Sequence, residues 1–202
     1  MVPVRTLRAM CALPFPEPPL TDGVVVLRPW RPEDAAVKAA WGDDPVIVRW
    51  TGVPANYTEE AARAYAVRTE EARKAGRSLT LAITDAVTTV VVGSCDIRRP
   101  DPEDPALGEI GYLLSEGSRG AGLATRAMGL LTSWSLSELG MERVQALVHP
   151  DNPRSAGVLD RLGFRCEGLL RHYRAGDNGR EDRFLYSVLP GELVLPESST
   201  GA

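Results

Sequence analysis

Residues 115–128 read SEGSRGAGLATRAM, with Arg119, Gly120 and Gly122 lying between an apolar run and a segment of helical apolar spacing. A glycine-rich turn that opens a helix presents backbone N–H groups at the positive end of the helix dipole, and such a cluster holds a phosphate or diphosphate. A side chain in place of glycine would keep the anion away from the backbone, and Arg119 adds a planar cation at the entrance. The same residues also read as an ordinary left-handed connection between a strand and a helix, and Gly-x-Gly alone does not choose between the two. Two phosphate-loop classes fail on spacing. A Walker loop requires Gly-Lys-Ser/Thr, which the sequence lacks, so nucleotide hydrolysis drops out. A dinucleotide loop requires a third glycine where Thr125 stands, on the first strand of a mostly parallel sheet; here the turn follows several strands with hairpin signals, which disfavours a nicotinamide enzyme.

Other reactive side chains are sparse. His149, in HPDN at a strand end, is a lone histidine of the kind that is more often structural than catalytic. Cys11, Cys95 and Cys166 are odd in number, widely spaced and free of CxxC pairing, which suggests neither a disulfide framework nor a zinc site and points to a reducing compartment. Cys166 has no neighbouring histidine and reads as a packed strand residue.

The elements that must position the turn can be read from periodicity. GVVVLRPW is a β-branched strand, after which Pro32, Glu33 and Asp34 open a helix to about Trp41. Thr58 caps a second helix that Gly76 stops. SLTLAITD and TTVVVGSCDIRR form two strands of an antiparallel hairpin, and LGEIGYLLSEG follows as a central strand. After the turn, Leu123, Ala127, Leu131 and Trp134 fall on one helical face before Gly140. RVQALVHP is a strand and NPRSAGVLDRLG a helix, with Asn152 as N-cap and Pro153 in its first position. FRCEGLLRHY and REDRFLYSVL close the fold as two strands around AGDNG. Helices interspersed with a mixed sheet give a single α/β or α+β domain. Its boundaries are expected at residues 23–190, with a flexible proline-rich N-terminal arm over 1–22 and a polar tail over 191–202.

The 202 residues, 44% hydrophobic and 25% charged with a formal net charge of −4, suffice for a core without metals or disulfides. The mild acidity argues against a nucleic-acid partner. Pro14 and Pro16 interrupt the short apolar piece near the start before it reaches signal-peptide length, and no stretch approaches a membrane span. The expectation is a cytoplasmic protein; a homodimer stays open.

Four motifs carry a family resemblance over about residues 23–189. Arg119, Gly122 and Ala124 fit the Arg/Gln-x-x-Gly-x-Gly/Ala signature of the GNAT superfamily of acetyl-CoA-dependent N-acetyltransferases. GEIGYLL before the turn, NPRS at the next strand-to-helix junction and VLDRLGFRCEGLLR after it resemble the branch that includes the ribosomal-protein N-terminal acetyltransferases. The resemblance implies a mixed, mostly antiparallel sheet with a splayed strand pair. It implies acetyl-CoA as co-substrate, with the pantetheine arm against Leu113 and Leu114 and the diphosphate on Arg119, Gly120, Ala121, Gly122, Leu123 and Ala124. Asn152 is carried over as a cofactor contact beside its N-cap role.

By the same resemblance Glu109 is the general base and Ser155 the proton donor to the leaving thiolate, since Leu159 stands where many members have a tyrosine acid. A carboxylate with an ordinary pKa near 4.3 takes a proton from an ammonium near 8 roughly 5 kcal/mol uphill, so either burial or a relaying water is expected to help. Ser155 has a rival role, bonding the backbone of its own helix terminus. The oxyanion would be met by a strand N–H near Leu113. The acceptor is an amine, and a protein or peptide N-terminus suits the chemistry best: an α-amine of pKa about 8 is ~10% neutral at pH 7, whereas a lysine is below ~0.1% neutral. An amine-bearing small molecule such as an aminoglycoside, and a CoA-binding regulator without turnover, are the alternatives.

Overall fold

The structure is a computed structural model that describes residues 11–176 and 179–196; residues 1–10 and 197–202 of the two ends and residues 177 and 178 in the AGDNG turn lie outside the described residues. Eight strands form one sheet in the order β1-β2-β3-β4-β5-β6-β8-β7. They are β1 (Leu20–Thr21), β2 (Val25–Pro29), β3 (Ser78–Asp85), β4 (Val91–Arg98), β5 (Leu107–Leu114), β6 (Arg143–Val148), β7 (Arg165–Gly176) and β8 (Gly179–Val188). Every neighbouring pair is antiparallel except β5 and β6, which run parallel.

Period-two alternation separates the two faces. On β3, Leu79, Leu81 and Ile83 are buried with Ile97 of β4 and Ile110 of β5 against Met128 and Leu131. The last two belong to helix α4 (Leu123–Ser137), where Ala127 and Trp134 are buried as the helical spacing predicts. On the other face Thr80, Asp96 and Gly111 stand in one row across β3, β4 and β5, and Arg98 stands opposite Glu109. That face carries α3 (Glu59–Lys74). Thr58 Oγ1 accepts the Ala61 N–H at 3.2 Å to start α3, and Gly76, at φ 71°, ends it while the Gly76 and Arg77 amides return to Arg73 and Ala72.

The first helix differs from the expected single run to Trp41. A 3₁₀ turn over Pro32–Asp34 leads into α1 (Ala35–Ala40), and a second 3₁₀ turn over Trp41–Asp43 gives way to α2 (Pro45–Trp50). Asp44 resets the chain: its carboxylate accepts the Val46 and Ile47 amides at 2.9 and 3.3 Å, with Pro45 in the first helical position. Residues 11–22 include Leu13, which is buried and exchanges bonds with Arg73, and the short β1. Among the described residues no helix is long and apolar enough to cross a membrane.

Candidate functional site

The parallel pair β5 and β6 shares only Leu107, Gly108 and Glu109 with Arg143, Val144 and Gln145. Past Glu109 the strands part, although β5 stays paired to β4 as far as Leu114. The register decides which amides point into the gap. Ser115 donates to Val92 on β4 at 2.9 Å, so by alternation Leu113 also faces β4, while Tyr112 and Leu114 turn their N–H groups toward the gap.

Glu109 stands where the gap opens and is 8% exposed. Its Oε2 accepts from Gln145 Nε2 at 3.1 Å, and Arg98 Nη1 lies 3.8 Å from its Oε1. Arg98 is fixed in turn by Asp96, with Nη2 and Nε both 3.0 Å from Oδ2. This pair lies across β5 at Gly111, where a Cβ would come within 3.0 Å of Arg98 Nη2 and 3.1 Å of Asp96 Oδ1. The Asp96 charge holds the Arg98 guanidinium firmly protonated. Burial pushes the Asp96 carboxyl up against the opposing pull of Arg98.

Tyr112 projects to the other face, being an odd number of residues from Glu109. Burial pushes its phenol up, with the nearby Ser155 side chain acting against that rise. Ser155 is in α5 (Pro153–Arg161), where its N–H bonds to Asn152 Oδ1 at 3.2 Å. Asn152 is thus the N-cap of α5, and Leu159 is buried in the core. Tyr112 lies in GEIGY, where no local signal marks it out; the strand register turns its phenol toward the side of Ser155.

The glycine turn forms the mouth of the gap. Gly120 and Gly122 have φ of 86° and 77°, and a Cβ on either would meet nothing within 4 Å. Gly122 caps α4, whose first turn-closing bond is Arg126 N–H to the Gly122 carbonyl. The amides of residues 120–125 donate to no acceptor among the described residues. Open space at the two glycines, beside a run of undonated amides at a helix start, fits a diphosphate. Leu123 and Ala124 seat this turn on the core.

Arg119 is committed within the protein: its Nε donates to the Leu114 carbonyl at 3.1 Å and its Nη2 pairs with Asp44. Desolvation works against the Asp44 charge, but Arg119 and the Ile47 and Val46 amides hold the carboxyl below its usual range. The pair ties the turn to α2. Leu113 packs with Trp41 and Ile47 in a small satellite cluster, whereas Leu114 enters the main core. At the far end of α2, Trp50 lies 5.1 Å from the His149 ring, next to the end of β6. Among the described residues, no group of three His, Cys, Asp or Glu side chains could hold a metal ion.

The family model described as Acetyltransferase (GNAT) domain matches residues 25–165. The chain belongs to the GNAT acetyltransferase family. This GNAT chain is 29% identical over 170 residues to the uncharacterized N-acetyltransferase p20 of Bacillus licheniformis, covering 84% of this chain and 95% of that protein. Mycobacterium smegmatis RimJ, solved in complex with CoA-disulfide, superposes with a TM-score of 0.74 at 28% identity, covering 90% of this chain and 89% of RimJ. The ribosomal-protein-S5-alanine acetyltransferase from Vibrio fischeri has the same fold, with a TM-score of 0.71 at 22% identity and coverage of 84% and 95%. The GNAT sheet with its splayed pair is therefore the fold, and the chain is an N-acetyltransferase of that family.

Proposed function

We propose that the protein transfers the acetyl group of acetyl-CoA to the α-amine of a peptide or protein N-terminus by direct attack. The observation that carries this reading is the placement of two proton-handling groups on opposite faces of one gap: Glu109 on one side, Tyr112 with Ser155 on the other. The diphosphate of the donor rests on the amides of the glycine turn, and the pantetheine follows β5 through the gap. The neutral amine attacks the thioester carbonyl carbon from the Glu109 face, forming the C–N bond. The Tyr112 or Leu114 N–H meets the oxyanion.

As the C–S bond breaks, the ammonium proton passes to Glu109, directly or through a water, and the thiolate takes a proton from Ser155, which Tyr112 resupplies; release of the Glu109 proton to solvent and uptake of one by Tyr112 from solvent close the cycle. The products are the amide and CoA thiol. A thiolate of pKa near 8.5 leaves readily, so Glu109 contributes more than Ser155.

The test is thiol release from acetyl-CoA over a panel of peptides with free N-termini, their N-blocked lysine counterparts, simple amines and aminoglycosides. Turnover concentrated on free peptide N-termini supports the reading. Turnover on small amines alone overturns the peptide acceptor, and cofactor binding without turnover on any acceptor overturns catalysis.

A further inference from the structure

Lys38 of α1 is 4% exposed. Its ammonium lies 3.7 Å from the Trp30 ring centroid and 4.9 Å from that of Tyr65, yet it donates to no acceptor among the described residues. The neighbouring Asp34 is fully engaged, with Arg28 at 2.8 and 3.0 Å and the Arg31 N–H at 2.8 Å. Trp30 Nε1 is buried without an acceptor, whereas the tip of Lys38 keeps a contact with solvent. Buried donors normally find partners, and an ammonium largely withdrawn from water is costly. A cation–π contact offsets about 2 kcal/mol of that. Two unmatched donors side by side, one of them charged, define a place for an anionic oxygen.

The spot belongs to the face that carries Glu109. Trp30 follows Pro29, which pairs with Leu81, and so stands beside Thr80. Thr80 faces Asp96, and Asp96 faces Gly111. Tyr65 borders the row: its ring meets Lys38, its hydroxyl lies toward Thr80, and at 38% exposed it leaves this end open to solvent. Asp34 and Asp96 each pair with an arginine, Arg28 and Arg98, while Lys38 feels the Asp34 charge without an ion-pair contact among the described residues. Three strand spacings of ~4.8 Å put Trp30 on the order of 14 Å from Gly111. An extended peptide covers that span in roughly four residues at ~3.3 Å each.

We infer that Lys38 and Trp30 form the far end of the acceptor site and bind a carboxylate of the acceptor, supplied by an acidic side chain at about its third to fifth residue. The inference rests on reading this face as the acceptor side. A carboxylate there would accept from the Lys38 ammonium and, with the lysine chain drawn off the ring, from the indole N–H.

Two measurements test it, and the first needs no turnover. In protein labelled with ¹⁵N-tryptophan, the Trp30 indole resonance is assigned by its disappearance in Trp30→Phe. Titration with sodium acetate is expected to shift that resonance, acetamide to leave it in place, and Lys38→Met to remove the acetate response. No shift with acetate, an equal shift with acetamide, or a response that survives in Lys38→Met overturns the site. The second compares kcat/KM for peptides carrying Glu or Gln at the third, fourth or fifth residue. One charged hydrogen bond gives roughly a tenfold preference for Glu, and Lys38→Met should abolish it through KM. Equal use of Glu and Gln peptides overturns the site. If no peptide is acetylated, the peptide reading fails, while the indole titration still decides whether Lys38 and Trp30 take a carboxylate.

Discussion

Glu109 and Tyr112, three residues apart on β5, approach the gap beside β6 from opposite faces of the sheet. Glu109→Gln is therefore expected to lower kcat by about 10²-fold or more while leaving the Kd for acetyl-CoA unchanged by calorimetry. Tyr112→Phe and Ser155→Ala should each cost several-fold, and the double variant should be no worse than the poorer single, because the two act as one donor. Additive losses would show that they act separately.

The turn glycines predict a separable effect. Gly122→Ala places a Cβ at φ 77° and is expected to cost about 1–2 kcal/mol in thermal unfolding and to weaken acetyl-CoA binding. Gly140 has a similar φ of 64° but lies at the other end of α4. Gly140→Ala should show the same loss of stability with unaltered acetyl-CoA affinity. A parallel loss of affinity in both variants would remove the turn from the binding site.

Asp44 caps α2 and pairs with Arg119, so Asp44→Asn should lower Tm. The folded carboxyl lies below its ordinary value of 3.8, which means that its stabilisation is present above that pH and fades as pH falls through the folded value. The Tm difference between the protein and Asp44→Asn should be full at pH 7 and shrink below about pH 4. A difference that stays constant to pH 2.5 would show that the charge contributes nothing.

Lys38 has the opposite sign. Burial lowers its pKa from 10.5 to about 8, so below pH 8 the folded state bears the cost of a buried ammonium that the unfolded chain avoids. At pH 7 Lys38→Met should be the more stable protein, by up to about 3 kcal/mol less the lost ring contact. The advantage should vanish as pH rises from 8 toward 10.5, read as the difference between denaturant midpoints. A gap that does not narrow over that range would show that Lys38 is not desolvated.

Local chemistry was legible where the signal was local. The run SLTLAITD is β3 from Ser78 to Asp85, and Asn152 with Pro153 opens α5, because capping and alternation act over a few residues. The family resemblance supplied the splayed pair, and the register locates it past Glu109. What stayed hidden depends on contacts far apart in the chain: Arg119 with Asp44, Trp50 with His149, Gln145 with Glu109, and Lys38 with Trp30 and Tyr65. No periodicity encodes which lysine of a short helix will lie over an indole. Helix α2 escaped notice because VIVRW, rich in β-branched residues, has low helix propensity, and only Asp44 and Pro45 mark its start.

Because the parallel strands are joined at one end only, the sheet behaves like a cloth slit from its hem. In the reaction proposed above a thioester would enter the slit from one side while its amine waits on the other, and neither molecule would have to withdraw before the other arrives. Such a passage suits transfer within one three-part assembly, and the acetylated amine can depart on its own side while the spent thiol still sits in the seam.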